Sequence, residues 1–469
     1  MRDPIPPEVL DRLKTALGEG GWSQDPDRLA PKLTEWRDRW QGSTPLLVLP
    51  RTVEEVAAVV AICAEAGAPI TPQGGVTGLV GGQIPQGEIL LSTERLRAVR
   101  EADPQDDVLV AEAGVTLAAA HEAAALIGRR FPLSLASEGS ATLGGLVSTN
   151  AGGVAVLRYG TMRDLVLGLE AVLPNGEIWN GLKRLRKDNT GLDFKQLFIG
   201  AEGVMGVVTA AALKLFPILA SRSVAYAGVA SPADAVALLV KAKEITGGQV
   251  ESFELIGRLG MELALAMTQG AREPLESRPP WYVLIETASG EPGGAEAGME
   301  RLLEAGLETG LVLDAAIAQT ESQAKAFWAL RENQSAAQKP EGVTWKHDIS
   351  VPLSRIATFL ERAGAALQAR FPGVRIDAFG HVGDGNIHYD VLAARGADQA
   401  RHLANRDEGA RIVYDIVADL DGSISAEHGL GVLKTQTALA YKSAAEVEAL
   451  RAVRAALDPG RIMNPRVLF

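Results

Sequence analysis

Two histidines seven residues apart, His381 and His388, bracket the stretch HVGDGNIH and are the side chains of this sequence best placed for metal chemistry. Read as a hairpin turning on Asp384-Gly385, a favoured two-residue pair, the stretch sets Gly383 against Asn386, Val382 against Ile387 and His381 against His388. Directly opposed residues on one face have Cβ atoms about 4.5–5.5 Å apart, so two ring nitrogens can converge on one ion. Two glycines and an aspartate in four residues argue against a helix. The segment SAEHGLG at 425–431 adds Glu427 and His428 side by side. Two histidines and one carboxylate with an open position form a catalytic rather than a structural shell, which makes His381, His388 and Glu427 the candidate ligands. The plainer alternative is a pair of histidines that only hydrogen-bond within a hairpin.

Two cations precede the hairpin: Arg331 on the helical pattern WALRENQSAAQ and Lys346 on the strand VTWKHDISVP. Most Lys and Arg are ordinary surface charges. Beside a metal, however, an acidic substrate needs such partners, and arginine suits bidentate recognition of a carboxylate.

The elements that must hold these residues follow from pattern. A polar N-terminal helix leads to the strand LLVLP at 46–50. The next stretch opens with a capping box at Thr52 and Glu55, runs at helical apolar spacing, and stops at Gly67. A second extended segment from Pro69 delivers the chain into PQGGVTGLVGG, residues 72–82, with five glycines in eleven positions. Residues without Cβ let backbone N–H groups approach an anion, as for a pyrophosphate; a plain flexible loop is the alternative. It is neither a Walker loop nor GxGxxG. GEILLST and DVLVAEAGV read as strands and TLAAAHEAAALIG as a helix. SEGSATLGGLVSTNAGG at 137–153 is a long glycine-rich tract inside a domain, which points to backbone lying against a large flat ligand rather than to a connector. VLGLEAVLPNGEIWN signals a hairpin at Asn175-Gly176, and Gly200, Gly203 and Gly206 form a third cluster. From about 220 to 420 strands alternate with helices, as in a second α+β layer, and the tail from about 430 is helical with an extended end.

At 469 residues the chain fits two or three domains. A net charge of −12 speaks against sequence-independent nucleic-acid binding, which needs clustered Lys and Arg. The single cysteine, Cys63, excludes a disulfide framework and a Cys-ligated cluster, and its apolar stripe places it in a core. The start MRDPIPPEVLDRLK has no apolar targeting core and no apolar run approaches 18 residues. The expectation is therefore a cytoplasmic protein with no membrane span.

Taken together, PQGGVTGLVGG, STNAGG, LRKDNTGLDFKQLFIGAEGVMG, LRE, KHDISVP, GHVGDGNIH, GSISAEHGLG and the terminal Asn-Pro resemble the D-2-hydroxyglutarate dehydrogenases. These are FAD-linked oxidases of the vanillyl-alcohol oxidase and p-cresol methylhydroxylase fold, with D-lactate dehydrogenases as near relatives. The resemblance covers about residues 42–469. It implies an α+β architecture: an N-terminal helical segment (1–41), a bipartite FAD-binding domain (42–219), an α+β substrate and metal domain (220–425) and a helical C-terminal segment returning to the flavin (426–469). It implies noncovalent FAD on the loop of Pro72, Gln73, Gly74, Gly75, Val76, Thr77, Gly78 and Leu79, then along Ser137, Gly139, Ser140, Gly144, Gly145, Thr149, Asn150 and Gly152, with Val207 and Asn464 as further contacts.

His381, His388 and Glu427 match the family's zinc ligands, and His428 its catalytic base. Arg331 and Lys346 match contacts to the substrate carboxylate. The implied reaction is FAD-dependent, metal-assisted oxidation of a D-2-hydroxy acid to the 2-oxo acid, with electrons passed to an electron-transfer flavoprotein or a quinone. An oxygen-using flavin oxidase and a non-catalytic electron-transfer subunit are the alternatives, and a homodimer is left open. Three positions depart from the family pattern. Val76 stands where Asn is common, which costs little if backbone groups do the binding. Ser335 replaces Thr, and Asp390 replaces Asn, at the substrate end. An ionised Asp390 repels a dicarboxylate, which shifts the expectation toward a monocarboxylic acid such as D-lactate.

Overall fold

The computed structural model describes residues 4–468 and divides the chain into two compact units. One comprises the residues up to Gly153, Gly160–Pro217 and the chain from Glu427 onward; the other comprises Val154–Tyr159 and Ile218–Ala426.

In the first unit, the helix Val53–Ala66 begins where the Thr52 hydroxyl accepts the Glu55 N–H at 3.2 Å and ends at Gly67, whose φ of 62° is left-handed. Its buried residues Val56, Val59, Val60 and Cys63 recur at helical spacing. They share a core with Val9, Leu13 and Leu17 of the helix Pro7–Leu17, so the N-terminal residues belong to this unit's interior. Burial pushes the Cys63 thiol up to about 12, which keeps it unreactive. The strand Ile70–Gln73 pairs in parallel with Ile89–Ser92. A separate five-stranded antiparallel sheet is centred on Val207–Lys214, flanked by Val108–Glu112 and Val166–Val172. The expected hairpin turns through Gly176, at φ 87°.

The C-terminal segment comes back to the parallel sheet. Ile70 donates its N–H to the Ile462 carbonyl and accepts the Asn464 N–H, both at 2.8 Å. Buried Arg454 holds the carbonyls of Val467 at 2.7 Å and Met463 at 3.0 Å, so an extended tail is fixed by side-chain donors rather than by a sheet of its own.

The second unit is built on a seven-stranded, wholly antiparallel sheet in the order Asp314–Ile317, Ser221–Val229, Trp281–Ser289, Val250–Gly257, Arg375–His381, Asn386–Leu392, Thr344–Ser350. Alternate residues point to opposite faces. Trp345, Ile349, Ile387, Tyr389 and Val391 take one face and are fully buried, with Phe359 of the helix Ile356–Arg370 edge-on to Tyr389. The opposite face is apolar at one end, where Tyr226, Ile256, Tyr282 and Leu284 pack with Trp328 and Met261. At the other end it turns polar. The short helix Val156–Tyr159 also joins this unit, through a Ser252 hydroxyl donating to the Val154 carbonyl at 2.8 Å and a Tyr159 hydroxyl donating to Glu251 at 2.9 Å.

Candidate functional site

The hairpin carries its histidines in a different register from the expected one. His388 pairs with Phe379, and the strands Arg375–His381 and Asn386–Leu392 leave four residues, Val382 to Gly385, in the turn. Gly385 and Asp384 both donate to the His381 carbonyl at 3.2 Å. Gly385 has φ 88° and packs on the Val351 carbonyl, while Gly380 at φ 147° leaves no room for a Cβ beside the Asn386 carbonyl. The direct opposition of His381 and His388 is thus corrected to a diagonal one. An even shift of register keeps every side chain on its face. The two imidazoles remain neighbours, with centroids 6.0 Å apart and planes at 73°.

Cross-strand partners share a face, and the pairs Glu254/His381, Phe379/His388, Asp377/Asp390, Lys346/Asp390 and Asp348/His388 therefore form one polar surface. Each imidazole has a carboxylate behind it. Glu254 Oε1 lies 3.8 Å from His381 Nδ1, and Asp348 Oδ1 lies 4.0 Å from His388 Nδ1. Neither distance is a hydrogen bond, and His381 Nδ1 also lies 3.9 Å from Asp384 Oδ2. Glu254 is fully buried, and its Oε1 has no hydrogen-bond partner among the described residues. Burial alone would raise its carboxyl, but the charges of Arg331 and His381 hold it below the ordinary value. Sequence reasoning missed Glu254 and Asp348. The signal was an acidic residue inside a strand that is buried at every position, VESFELIG, because such a charge needs a partner.

The two predicted cations lie on this same surface and are held differently. Arg331 donates from Nε to Glu254 at 2.6 Å and stacks over Phe379. Lys346 donates to Ser335 Oγ at 2.9 Å, Gln338 Oε1 at 2.6 Å and Asp390 Oδ2 at 3.3 Å. The structure thereby joins Lys346, Ser335 and Asp390 into one cluster. Asp377 stands behind it, fully buried, with Oδ2 accepting from Gln338 at 2.7 Å. Burial pushes Asp377 up to about 7, with Asp390 adding to the rise. Its Oδ1 and the Gln334 Oε1 converge where a Cβ of Gly260 would sit. Both oxygens lack a partner among the described residues, and the protonated form of Asp377 is the one that offers a donor there.

In the first unit Glu427 and His428 lie side by side, with Nε2 of His428 3.5 Å from Glu427 Oε1. The loop that follows them is clamped by Glu202, whose two carboxylate oxygens accept the Leu430 and Gly431 N–H groups at 2.8 Å each. Burial raises the Glu202 carboxyl while those donors pull it back, the net shift being upward. Its own carbonyl accepts from Asn464 Nδ2 at 2.8 Å, and Asn464 also donates to the Gly82 carbonyl at 3.1 Å. Glu202 sits inside the motif GAEGVMG, yet nothing in the sequence tied it to residues more than two hundred positions away.

Two glycines of the second tract leave bare backbone open to a ligand, whereas Gly74 and Gly75 of the first loop pack tightly on the Thr142 hydroxyl and the Ser140 carbonyl, so the expectation of an open first loop is corrected at those two positions. Where Gly139 would carry a Cβ there is open space, and at Gly145 the nearest group is the Thr142 hydroxyl at 3.7 Å. Buried Thr142 Oγ1, Gln73 Oε1 and Asn464 Oδ1 have no partner among the described residues, which leaves polar atoms for a cofactor to meet. Other predicted contacts have structural duties. Gln73 Nε2 donates to the carbonyls of Lys32 and Gln83, Gln83 to that of Gly78, and Thr149 to that of Gly145. Gly144 packs on Ala113, and the Val207 side chain belongs to the core. Asn150 at φ 50° and Val76 at φ 59° are left-handed. Asn tolerates that conformation, whereas for a β-branched residue it is an outlier, so Val76 carries backbone strain that the sequence did not reveal.

Two family models match the chain, and the second runs from one unit into the other. Residues 44–181 match the FAD binding domain family and residues 218–468 match the FAD linked oxidases, C-terminal domain family. The chain is 37% identical over 455 residues to the mitochondrial D-2-hydroxyglutarate dehydrogenase of Arabidopsis thaliana, spanning 97% of this chain and 80% of that one. It is 38% identical to the Bos taurus mitochondrial enzyme, over 94% and 80% of the two chains. It is 36% identical to the D-2-hydroxyglutarate dehydrogenase of Xanthomonas citri pv. viticola, over 93% and 91%. Among solved structures it resembles alkyldihydroxyacetonephosphate synthase, with a TM-score of 0.77 at 18% identity, covering 100% of this chain and 87% of that one. It also resembles p-cresol methylhydroxylase, with a TM-score of 0.75 at 15% identity, covering 98% and 96%. These likenesses establish the vanillyl-alcohol oxidase type of fold. The cytoplasmic expectation is overturned: the Arabidopsis, Bos taurus and Danio rerio relatives are mitochondrial proteins. Among the described residues no helix is long and apolar enough to cross a membrane. With relatives this similar over nearly its whole length, the chain belongs to the D-2-hydroxyglutarate dehydrogenase family of FAD-linked oxidases.

Proposed function

We propose that this protein oxidises a D-2-hydroxy acid to the 2-oxo acid, with noncovalent FAD bound by the glycine loops and a divalent metal, zinc by preference, held by His381, His388 and Glu427. The observation that carries the metal is the pair of imidazoles with a carboxylate behind each Nδ1, beside an arginine, on one face of one sheet. When bound, the flavin accepts a hydride and the metal lowers the pKa of the substrate hydroxyl.

The residues divide the remaining work. Arg331 keeps its Nη groups for the carboxylate next to the hydroxyl, because only its Nε is engaged by Glu254. His428 takes the hydroxyl proton on a ring nitrogen. Glu202 fixes the backbone just after His428 and so fixes the approach of that ring. Anaerobic bleaching of the bound flavin by D- but not L-lactate, or by D- but not L-2-hydroxyglutarate, is the expected result. Flavin untouched by every 2-hydroxy acid would leave an electron-transfer role instead.

A further inference from the structure

An ammonium group has three N–H donors, and those of Lys346 are met by three acceptors: Ser335 Oγ, Gln338 Oε1 and Asp390 Oδ2, at 2.9, 2.6 and 3.3 Å. The Ser335 carbonyl lies at 3.5 Å as well. Asp390 is buried, so its charge faces the lysine rather than water. Arg331 is held by one bond only. Among the described residues its Nε meets Glu254 and no hydrogen bond engages its Nη groups, which present a flat fork of donors. The same sheet face thus offers one open anchor for a carboxylate and one cation already neutralised and fully hydrogen-bonded.

Resting on the function proposed above, we infer that the substrate is a monocarboxylic D-2-hydroxy acid with an uncharged side chain, and that Asp390 is the residue that excludes a second carboxylate. A dicarboxylate would have to displace a buried carboxylate from Lys346 or sit beside it, and like charges in a site sheltered from water repel strongly. An uncharged side chain meets no such penalty. Gln338 makes the arrangement stiffer, because its Nε2 is spent on Asp377 Oδ2 at 2.7 Å and its Oε1 on Lys346. The donors of the lysine are therefore taken up within the protein. The relatives named for D-2-hydroxyglutarate act on a dicarboxylate, so this chain parts from them at the substrate end and not in its chemistry.

The test is anaerobic flavin bleaching of the FAD- and zinc-loaded full chain with D-lactate, D-2-hydroxybutyrate, D-malate and D-2-hydroxyglutarate, read as the second-order rate constant for each. The expected result is a preference of at least tenfold for the two monocarboxylates. In Asp390→Asn the ratio of D-2-hydroxyglutarate to D-lactate rises at least tenfold, because the amide carries no charge and can donate. Wild-type protein bleached as fast or faster by D-2-hydroxyglutarate overturns the inference while leaving the proposed function standing. So does an unmoved ratio in a variant that still holds FAD. Bleaching by none of the four acids removes both.

Discussion

In the proposed reaction His428 takes the substrate proton, and a positioned base of this kind contributes roughly 10²–10⁴-fold. His428→Ala is therefore expected to hold FAD normally and to slow anaerobic flavin reduction by about that factor in stopped flow; reduction at the wild-type rate would remove the residue from the mechanism. Val76 shows a different residue-scale effect. Its left-handed backbone costs a β-branched residue about 1–2 kcal/mol, so Val76→Asn is expected to stabilise the chain by roughly 1 kcal/mol in urea unfolding. Asp377 contributes a pH dependence whose sign is fixed by its raised carboxyl. Its contribution is fully present below the ordinary carboxylate range and is lost as pH rises through about 7. Subtracting the stability of Asp377→Asn from that of wild type across pH 4–8 should give a difference that falls with rising pH. A flat difference would show that Asp377 is ionised throughout.

At the scale of elements, the hairpin shows what a sequence can and cannot carry. His381 and His388 were legible as neighbours, because two residues an odd number apart across a turn stay on one face under any even shift of register. The four-residue turn was not legible, because it depends on Gly380 and Gly385 packing against Asn386 and Val351 backbone. Arg331 and Lys346 were recognisable as cations on a helix and a strand. Glu254, which meets Arg331, and Asp377, which reaches Lys346 only through Gln338, were not, since each comes from a strand distant in sequence and takes its place only once the sheet is assembled. Glu202 was hidden for the same reason. Replacing it by Ala leaves two N–H groups without their acceptor, and the expected cost is about 1–3 kcal/mol of stability. Flavin reduction should slow with it, and Glu202→Gln, which keeps one acceptor oxygen, should fall between the two.

Across the whole molecule, the sequence exposed the strand-and-helix alternation that begins at about residue 220, but not which short segments fall in which unit. Val154–Tyr159 packs with the second unit and the tail from Glu427 with the first. Both are held partly by polar contacts, such as those of Ser252 and Asn464, that leave no periodicity in the chain. The first unit's open glycine backbone makes its stability responsive to cofactor. Apoprotein given FAD at about 100 times its dissociation constant should gain roughly 2.7 kcal/mol, seen as a rise in the first unit's melting temperature; no rise would argue against a preformed FAD cradle. The central claim is the proposed metal at His381, His388 and Glu427, in the service of a flavin. Its most direct measurement is anaerobic flavin bleaching by D-lactate in protein stripped with a chelator and then given back one equivalent of zinc. The account predicts that bleaching stops on stripping, with FAD retained, and returns with zinc; bleaching that continues unchanged in metal-free protein would contradict it.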